Sequence, residues 1–216
     1  MIDATKRKID TFFSKNRQQS YKKGHILLLN DQPVNYAYLL EEGHVKVYDV
    51  SKHGDEVILN VFKPPTYFPM SVAINKTNNP YIYQAETDIV VRQSPALDTV
   101  EFIQDNPDVM LDLLARVYRG TDELLGRMAH LMGGSAQSRL IYELLQESRR
   151  FGTKGANGSL NLALTESDLG ARCGLSRETI SRELRKLKDE KLVIVKPHGL
   201  SVIDVPGLES KLGSDL

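Results

Sequence analysis

The sequence predicts an α+β protein with an N-terminal antiparallel β-roll (a jelly roll), one long helix and a C-terminal winged helix-turn-helix. Short β-branched or aromatic runs separated by turn residues fill the first half of the chain. A helical period follows, and after it come two short capped helices around a glycine turn and a hairpin. We therefore expect three regions: the roll at 1–104, the long helix and a hinge at 105–134, and the winged helix at 135–216.

Composition restricts the class of protein. The chain has 216 residues, 41% hydrophobic and 26% charged, which is ordinary for a soluble globular protein. Apolar runs such as Ile26–Leu29 are too short to cross a bilayer, and no apolar segment follows Lys6, Arg7 and Lys8, so we expect no signal peptide. The single cysteine, Cys173, excludes an intramolecular disulfide. We expect a cytoplasmic protein that contacts no membrane.

The formal net charge of zero conceals an asymmetry along the chain. Residues 86–123 contain nine acidic and three basic side chains, whereas residues 135–200 contain twelve basic and eight acidic ones. A mildly positive C-terminal region is typical of a site-specific DNA-binding domain.

The roll is predicted from a change of period. Residues 1–15 have the apolar spacing of an amphipathic helix, and from Tyr21 the period becomes two. The predicted strands are Ile26–Leu29, Tyr36–Leu40, Val45–Val50, Val57–Phe62, Tyr81–Ala85 and Ile89–Val91. Several short strands at this spacing indicate an antiparallel jelly roll.

The long helix begins at Asn106–Pro107, where asparagine suits the N-cap and proline the first helical position. Gly133-Gly134-Ser135 ends it and is the expected hinge. Gly120 and Gly126 would allow close approach of a second helix. Its apolar stripe consists of Leu113, Val117, Leu124, Met128 and Leu131. We interpret the stripe as a dimer seam, because the helix is long for one small domain. The alternative is a helix packed on its own roll.

The helix-turn-helix is predicted from its caps. Thr165 and Asp168 form a capping box for the first helix, Cys173-Gly174 supplies the turn, and Ser176 caps the second helix. A further amphipathic helix precedes it, at Gln137–Arg150. The predicted wing is a hairpin of Leu192–Lys196 and Leu200–Val205, joined at Pro197-His198-Gly199.

The second of these helices has two different sides. Ile180, Leu184 and Leu187 recur at helical spacing and form its buried stripe. The exposed side at its N-terminal end carries Arg177, Glu178, Ser181 and Arg182. Arginine can donate two hydrogen bonds to guanine, and glutamate can accept one from cytosine. The alternative is a solvated helix surface with i,i+4 ion pairs.

Other classes of function have weaker support. A jelly roll could be a metal-dependent enzyme, but that requires clustered ligands such as His-x-His, and His44 is followed by Val45 and Lys46. There is also no P-loop, Ser/His/Asp set or Gly-rich dinucleotide turn. A nucleotide-binding signalling module that does not control DNA is a further interpretation. The exposed side formed by Arg177, Glu178, Ser181 and Arg182 argues against it. We expect no enzyme activity.

The segment Leu175-Ser-Arg-Glu-Thr-Ile-Ser-Arg182 resembles the recognition helix of the Crp/Fnr family of bacterial transcription regulators. Residues 38–48 are similar to the family's roll signature, and the resemblance covers nearly the whole chain. It implies a cyclic-nucleotide-binding-like sensor domain, a dimerisation helix, and a homodimer that binds palindromic double-stranded DNA with TGA-type half-sites. RNA polymerase and an unknown small-molecule effector are further partners that it suggests.

The resemblance also implies residue roles. Arg177, Glu178 and Arg182 would contact bases, and Ser181 stands where the Fnr branch has a further base-contacting serine. The residues that would approach phosphates are Thr165, Ser176, Thr179 and His198.

The chain departs from the cyclic-AMP-binding members of that family. The Gly-Glu pair of those members corresponds to about Pro69–Met70, and their arginine corresponds to about Asn79–Tyr81. This chain has neither the Gly-Glu pair nor the arginine at these positions. Lys76 is near these positions in the sequence, but it is a single basic residue. We expect no high-affinity cyclic nucleotide binding and no cofactor. One cysteine is too few for an Fnr-type iron–sulfur cluster, and Cys173 is interpreted as a small residue that fills the turn rather than as a redox switch.

Two readings of the roll interior stay open. The aromatic and proline-rich lining could bind another effector, or it could be a filled core. The lining is Pro64, Pro65, Tyr67, Phe68, Pro69, Met70, Tyr81 and Tyr83. A haem sensor is an alternative, with His25, His44, His53 and His130 as candidate ligands, although such histidines are more often surface or turn residues.

Overall fold

The computed structural model describes residues 3–155, 158–197 and 199–213. The chain forms two compact units, Met1–Arg119 and Gly120–Leu216. No helix within the described residues combines the length and the apolar character that crossing a membrane requires.

The described part of the N-terminal unit, from residue 3 onward, contains eight strands. They are β1 (Gln18–Tyr21), β2 (Ile26–Leu28), β3 (Tyr36–Glu42), β4 (Val45–Val50), β5 (Glu56–Phe62), β6 (Thr66–Phe68), β7 (Ile82–Ala85) and β8 (Ile89–Pro95). One antiparallel sheet has the order β1-β8-β3-β6 and the other the order β2-β7-β4-β5. The predicted antiparallel roll is confirmed.

The helices of this unit contribute residues to one hydrophobic cluster. They are α1 (Asp3–Ser14), α2 (Met70–Asn75), α3 (Ala96–Gln104) and the first part of α4 (Pro107–Gly133). Ile9 and Phe13 of α1 are almost completely buried. The ring of Phe12 stacks on that of Phe102 in α3, with centroids 4.2 Å apart. The amphipathic N-terminal helix predicted from the sequence therefore covers the roll.

The C-terminal unit has the predicted winged-helix order. After α4 come α5 (Ala136–Phe151), β9 (Thr153–Lys154), β10 (Leu160–Leu162), α6 (Glu166–Cys173), α7 (Arg177–Asp189), β11 (Val193–Lys196), β12 (Gly199–Val202) and α8 (Val205–Gly213). The four strands form an antiparallel sheet in the order β11-β12-β10-β9. Leucines from α5, α6 and α7 fill the core of this unit, among them Leu144, Leu169 and Leu184.

Several short elements lie outside the sequence prediction: β1, β6, β9, β10, α2, α3 and α8. Thr66–Phe68 shows why. This segment lies between Pro65 and Pro69, so local chemistry indicates a loop. It is a strand because it pairs with β3, where Phe68 faces Tyr38. The second wing strand ends at Val202, not at the predicted Val205, because Val205 begins α8.

Candidate nucleic-acid interface

The first helix of the helix-turn-helix, α6, begins with the predicted capping box. The Thr165 hydroxyl accepts a hydrogen bond from the backbone N–H of Asp168 at 3.2 Å. In return the Asp168 carboxylate accepts from the backbone N–H of Thr165 at 2.8 Å. The Thr165 hydroxyl also donates to that carboxylate at 2.7 Å. Its only proton is therefore engaged, so a phosphate contact by this hydroxyl would require Asp168 to release it.

The turn after α6 depends on glycine and cysteine. Gly174 has a φ of 63°, in the left-handed region that favours glycine, and it forms the C-cap of α6. Cys173 is buried, and burial raises the pKa of its thiol. Its Sγ lies 3.8 Å from the carbonyl oxygen of Arg139 in α5. Because this thiol is buried and hard to ionise, the observation supports the interpretation of Cys173 as a residue that fills the turn.

The second helix, α7, also begins at its predicted cap. The Ser176 hydroxyl accepts from the backbone N–H of Thr179 at 3.2 Å. Ile180, Leu184 and Leu187 are buried in the core of the unit, as their spacing predicts. Because this side is anchored, the opposite side at the start of α7 faces solvent in a fixed orientation.

That exposed side forms a concave surface, which we call the reading face. It encloses about 370 Å³. It is lined by Arg177, Glu178, Ser181, Arg182, Arg185 and Glu166. All four residues predicted to contact bases are on it. Sequence reasoning missed Arg185 and Glu166. Arg185 follows Ser181 and Arg182 at helical spacing, which could have revealed it. Glu166 comes from α6, and no local pattern places it there.

The charges of the reading face are partly paired within the chain. Arg177 Nε lies 3.4 Å from Glu166 Oε2. Arg182 Nε lies 3.3 Å from Glu183 Oε1, and the buried Glu183 carboxylate also accepts from Lys186. Both predicted reading arginines therefore have a carboxylate beside the Nε edge of the guanidinium.

Glu178 stands at the first turn of α7 and is exposed. Its own backbone N–H and the Ser176 hydroxyl lower the pKa of its carboxyl. The group is therefore ionised at neutral pH and acts only as an acceptor, which suits the amino group of cytosine.

A second groove lies between the starts of α6 and α7 and the wing. It encloses about 440 Å³ and includes Thr165, Arg177, Lys196 and Gly199 in its lining. The Lys196 ammonium is held by the side-chain oxygen of Asn161 at 2.8 Å. A Cβ at position 199 would overlap the carbonyl oxygen of Leu162, so glycine is required at the wing.

The four predicted phosphate contacts have different surroundings. Thr165 and Ser176 are exposed, and Thr179 is half-buried beside the Ser176 hydroxyl. The fourth, His198, lies outside the described residues.

The long helix α4 exposes more apolar surface than the sequence stripe predicts. Val117, Leu124 and Met128 of that stripe are exposed by 45–55%. Leu131 is half-buried, and Leu113 packs on the core of its own unit. The further exposed apolar residues are Met110, Leu111, Leu114, Tyr118, Leu125 and Met132. Together these nine exposed residues form what we call the α4 face, a broad apolar stripe.

The C-terminal half of α4 packs on α5. The Tyr142 hydroxyl donates to the carbonyl oxygen of Glu123 at 2.9 Å, and its ring lies against Gly126. A Cβ at Gly126 would overlap that hydroxyl and come within 3.0 Å of the ring. The close approach that Gly126 allows is therefore to α5 of the same chain.

The interior of the roll contains a stack of aromatic rings. Phe68 stacks on Tyr38, Phe62 and Tyr83, with centroids 5.3–5.7 Å apart. Burial raises the pKa of Tyr83 to about 12, so its hydroxyl stays protonated. The arrangement supports the filled-core reading of this lining.

The positions that correspond to the cyclic phosphate motif have structural roles. Met70 is buried in the core. Asn79 is also buried, and its amide donates to the carbonyl oxygen of Leu29 at 2.8 Å. Lys76 is the exposed C-cap of α2. No cationic side chain stands at Pro69–Met70 or at Asn79–Tyr81.

Two of the histidines considered as haem ligands are engaged by neighbours. The His25 ring stacks on Tyr21, with centroids 4.3 Å apart. His130 is buried, unlike a surface histidine, and its Nδ1 lies 2.9 Å from the Ser138 hydroxyl. Within the described parts of the chain, no three His, Cys, Asp or Glu side chains are grouped as a metal site requires.

Comparison with known proteins agrees with this architecture. A Crp-like helix-turn-helix domain model matches residues 138–211, and a cyclic nucleotide-binding domain model matches residues 18–106. The transcriptional regulator SdrP of Thermus thermophilus is 25% identical over 194 residues, which cover 88% of this chain and 91% of that protein. The cAMP-activated global transcriptional regulator CRP of Salmonella typhimurium is 23% identical over 199 residues, with coverages of 90% and 92%.

A solved structure shows the same fold. The c-di-GMP responsive global regulator CLP of Xanthomonas campestris superposes with a TM-score of 0.80 at 15% identity. The superposition covers 92% of this chain and 99% of that one. The two proteins therefore share one fold over 92% of this chain.

Proposed function

Because the chain belongs to the Crp/Fnr family of transcription regulators, we propose that it binds a specific palindromic DNA site as a homodimer. The observation that carries this proposal is the reading face. Arg177, Glu178, Ser181 and Arg182 share one concave surface at the start of α7, while the other side of the helix is anchored in the core. The N-terminal end of a recognition helix is the part that enters the major groove. DNA binding also implies a cytoplasmic location, and the family is one of regulators rather than enzymes.

The chemistry of that surface suits base readout. The arginines supply paired donors for guanine O6 and N7, and the ionised Glu178 supplies an acceptor for cytosine N4. Such contacts fit TGA-type half-sites, because their G·C pair offers guanine O6 and N7 to an arginine and cytosine N4 to a glutamate. The groove beside the wing, with Lys196 on its rim, would follow the phosphate backbone.

A homodimer is proposed from the α4 face. Nine large apolar side chains on one stripe of α4 are 43–83% exposed. Apolar patches of this extent on a single helix typically mark a protein interface. A parallel second copy of α4 would cover the stripe and place the two recognition helices on successive major grooves.

The effector, if there is one, is proposed to differ from cyclic AMP. The stacked rings around Phe68 occupy the roll interior. The positions that correspond to the cyclic phosphate motif, Pro69–Met70 and Asn79–Tyr81, carry no cationic side chain. Isothermal titration calorimetry with cyclic AMP should show no binding at micromolar concentrations. A dissociation constant in the micromolar range or tighter would contradict this part of the proposal.

Selection of bound fragments from a random double-stranded DNA library tests the main proposal. We expect one enriched palindrome with TGA-type half-sites one helical turn apart. Arg149→Ala is a suitable control, since this exposed arginine lies on α5 and pairs with Glu209. It should select the same palindrome as the wild type. Enrichment of no sequence, or of a single unrepeated half-site, would contradict the proposal.

A further inference from the structure

Glu166 is an acidic side chain in a surface that is proposed to contact a polyanion. It stands at the first position of α6 and lines both the reading face and the groove beside the wing. Its carboxylate lies 3.4 Å from Nε of Arg177, and the two side chains are 27% and 70% exposed. A carboxylate at this place opposes DNA binding by itself, so its presence requires a physical account.

We propose that Glu166 is a positioning residue that sets DNA specificity by holding Arg177 for a base edge and withholding it from phosphates. This inference rests on the proposed function and assigns a residue that base-reading patterns alone do not identify. Glu166 itself touches no base. It acts through the guanidinium of Arg177.

The geometry of the pair supports a positioning role. Glu166 approaches the Nε edge of the guanidinium, which leaves the terminal nitrogens of Arg177 for a second partner. An exposed arginine otherwise samples many rotamers, and ordering it on DNA costs conformational entropy. A partner that already restrains the side chain reduces that cost at the correct base.

The charge of the pair explains why affinity for nonspecific DNA is lowered. Binding to nonspecific DNA depends almost entirely on cations that meet phosphates. While Glu166 neutralises Arg177, this arginine contributes little to that binding. At the cognate site the guanine edge offers hydrogen bonds that Glu166 does not obstruct. Affinity for nonspecific DNA is therefore lowered more than affinity for the specific site.

The test compares Glu166→Gln with the wild type on the palindrome selected by the wild type and on a scrambled duplex. Both affinities are measured at several salt concentrations. We expect the variant to bind scrambled DNA about tenfold more tightly near 0.1 M salt, and its salt slope to steepen by about one. Affinity for the palindrome should change by less than about threefold. The ratio of specific to nonspecific affinity should fall several-fold.

Arg177→Ala supplies the diagnostic background. Adding Glu166→Gln to it should leave the specificity ratio unchanged, since the residue through which Glu166 acts is gone. Glu209→Gln is the matched control, because it removes an exposed, ion-paired glutamate of the same unit that lines neither groove. It should change neither the ratio nor the salt slope.

The outcomes separate this inference from the proposed function. If the wild type enriches no DNA sequence, the proposed function fails and this inference fails with it. If a site is enriched but Glu166→Gln raises both affinities by the same factor, Glu166 only repels DNA and the inference alone is wrong. It is also wrong if Glu166→Gln lowers the ratio equally in the Arg177→Ala background.

Discussion

Arg127 of α4 and Glu143 of α5 form a bidentate salt bridge. Arg127 Nε and Nη2 donate to the two carboxylate oxygens of Glu143 at 3.2 and 3.1 Å. The Glu143 side chain is 2% exposed and that of Arg127 is 19% exposed. A nearby pair, Arg172 of α6 and Glu147 of α5, is also buried, at 3.9 Å. Charged groups thus connect the end of the long helix to the first helix of the helix-turn-helix.

Removal of Arg127 should destabilise the C-terminal unit. Arg127→Met leaves the Glu143 carboxylate buried without its main partner, which should lower the free energy of unfolding by about 3 kcal/mol. Glu143→Leu in the same chain should restore most of that loss. Urea unfolding at one protein concentration measures both effects. Arg149→Met, which breaks the exposed pair with Glu209, should cost less than about 1 kcal/mol. An equally small effect of Arg127→Met would show that the buried pair contributes nothing.

The pH dependence of stability should reveal the raised pKa of the Glu143 carboxyl group. Burial raises its pKa above the ordinary 4.5, although Arg127, Arg172 and Arg150 each lower it in part. The folded protein therefore holds this proton more tightly than the unfolded chain does. The stability that results is fully present below about pH 4.5 and is lost as the pH rises through the raised pKa.

Glu143→Gln is the reference for that measurement, since glutamine keeps the shape and does not titrate. The wild type should lose stability relative to this variant as the pH rises above about 4.5 and through the raised pKa. Urea unfolding at a series of pH values gives the difference. A difference that stays constant, or that favours the wild type more at higher pH, would mean that the carboxyl has an ordinary or lowered pKa.

Gly120 and Gly126 of α4 should respond in opposite ways to substitution by alanine. A Cβ at Gly120 would meet no described atom within 4 Å, so Gly120→Ala should stabilise the helix by about 0.5–1 kcal/mol. At Gly126 the new methyl group would overlap Tyr142, so Gly126→Ala should destabilise by about 1–3 kcal/mol. Thermal and urea unfolding of the two variants form a matched comparison. Stabilisation by both substitutions would contradict the close packing of Tyr142 on α4.

The α4 face should respond strongly to a buried charge. Leu124→Glu puts a carboxylate into the proposed dimer seam, and the dissociation constant of the dimer should rise at least about 100-fold. Arg119→Glu puts the same residue at an exposed polar position of the same helix and should leave the dimer intact. Sedimentation equilibrium measures both. An unchanged mass for Leu124→Glu would place the dimer seam elsewhere.

Loss of Arg182 should affect specific DNA binding selectively. Arg182→Ala should weaken binding to the selected palindrome by about 1–3 kcal/mol while it keeps salt-sensitive binding to scrambled DNA. Fluorescence anisotropy with both duplexes measures the two affinities, with Arg149→Ala as the control. If Arg182→Ala selected the same sequences as the wild type, with the same preference, the assignment of Arg182 to base readout would be wrong.

Parts of this fold follow from sequence neighbours alone. The caps at Thr165 and Ser176 and the turn at Gly174 depend on hydrogen bonds and backbone angles within a few residues. The buried stripe of α7 depends only on helical periodicity. Because these rules are local, the amino-acid sequence by itself determines the helix-turn-helix and most of its reading face.

The tertiary structure decided what depends on residues far apart in the chain. Strand β6 has three residues and exists because β3 supplies its hydrogen bonds. Glu166 joins the reading face because folding brings α6 against the start of α7, eleven positions along the chain. The space at Gly126 is filled by Tyr142, which a pattern of α4 alone cannot indicate. Local preference identifies the reading helix, whereas packing determines the partners that hold its side chains.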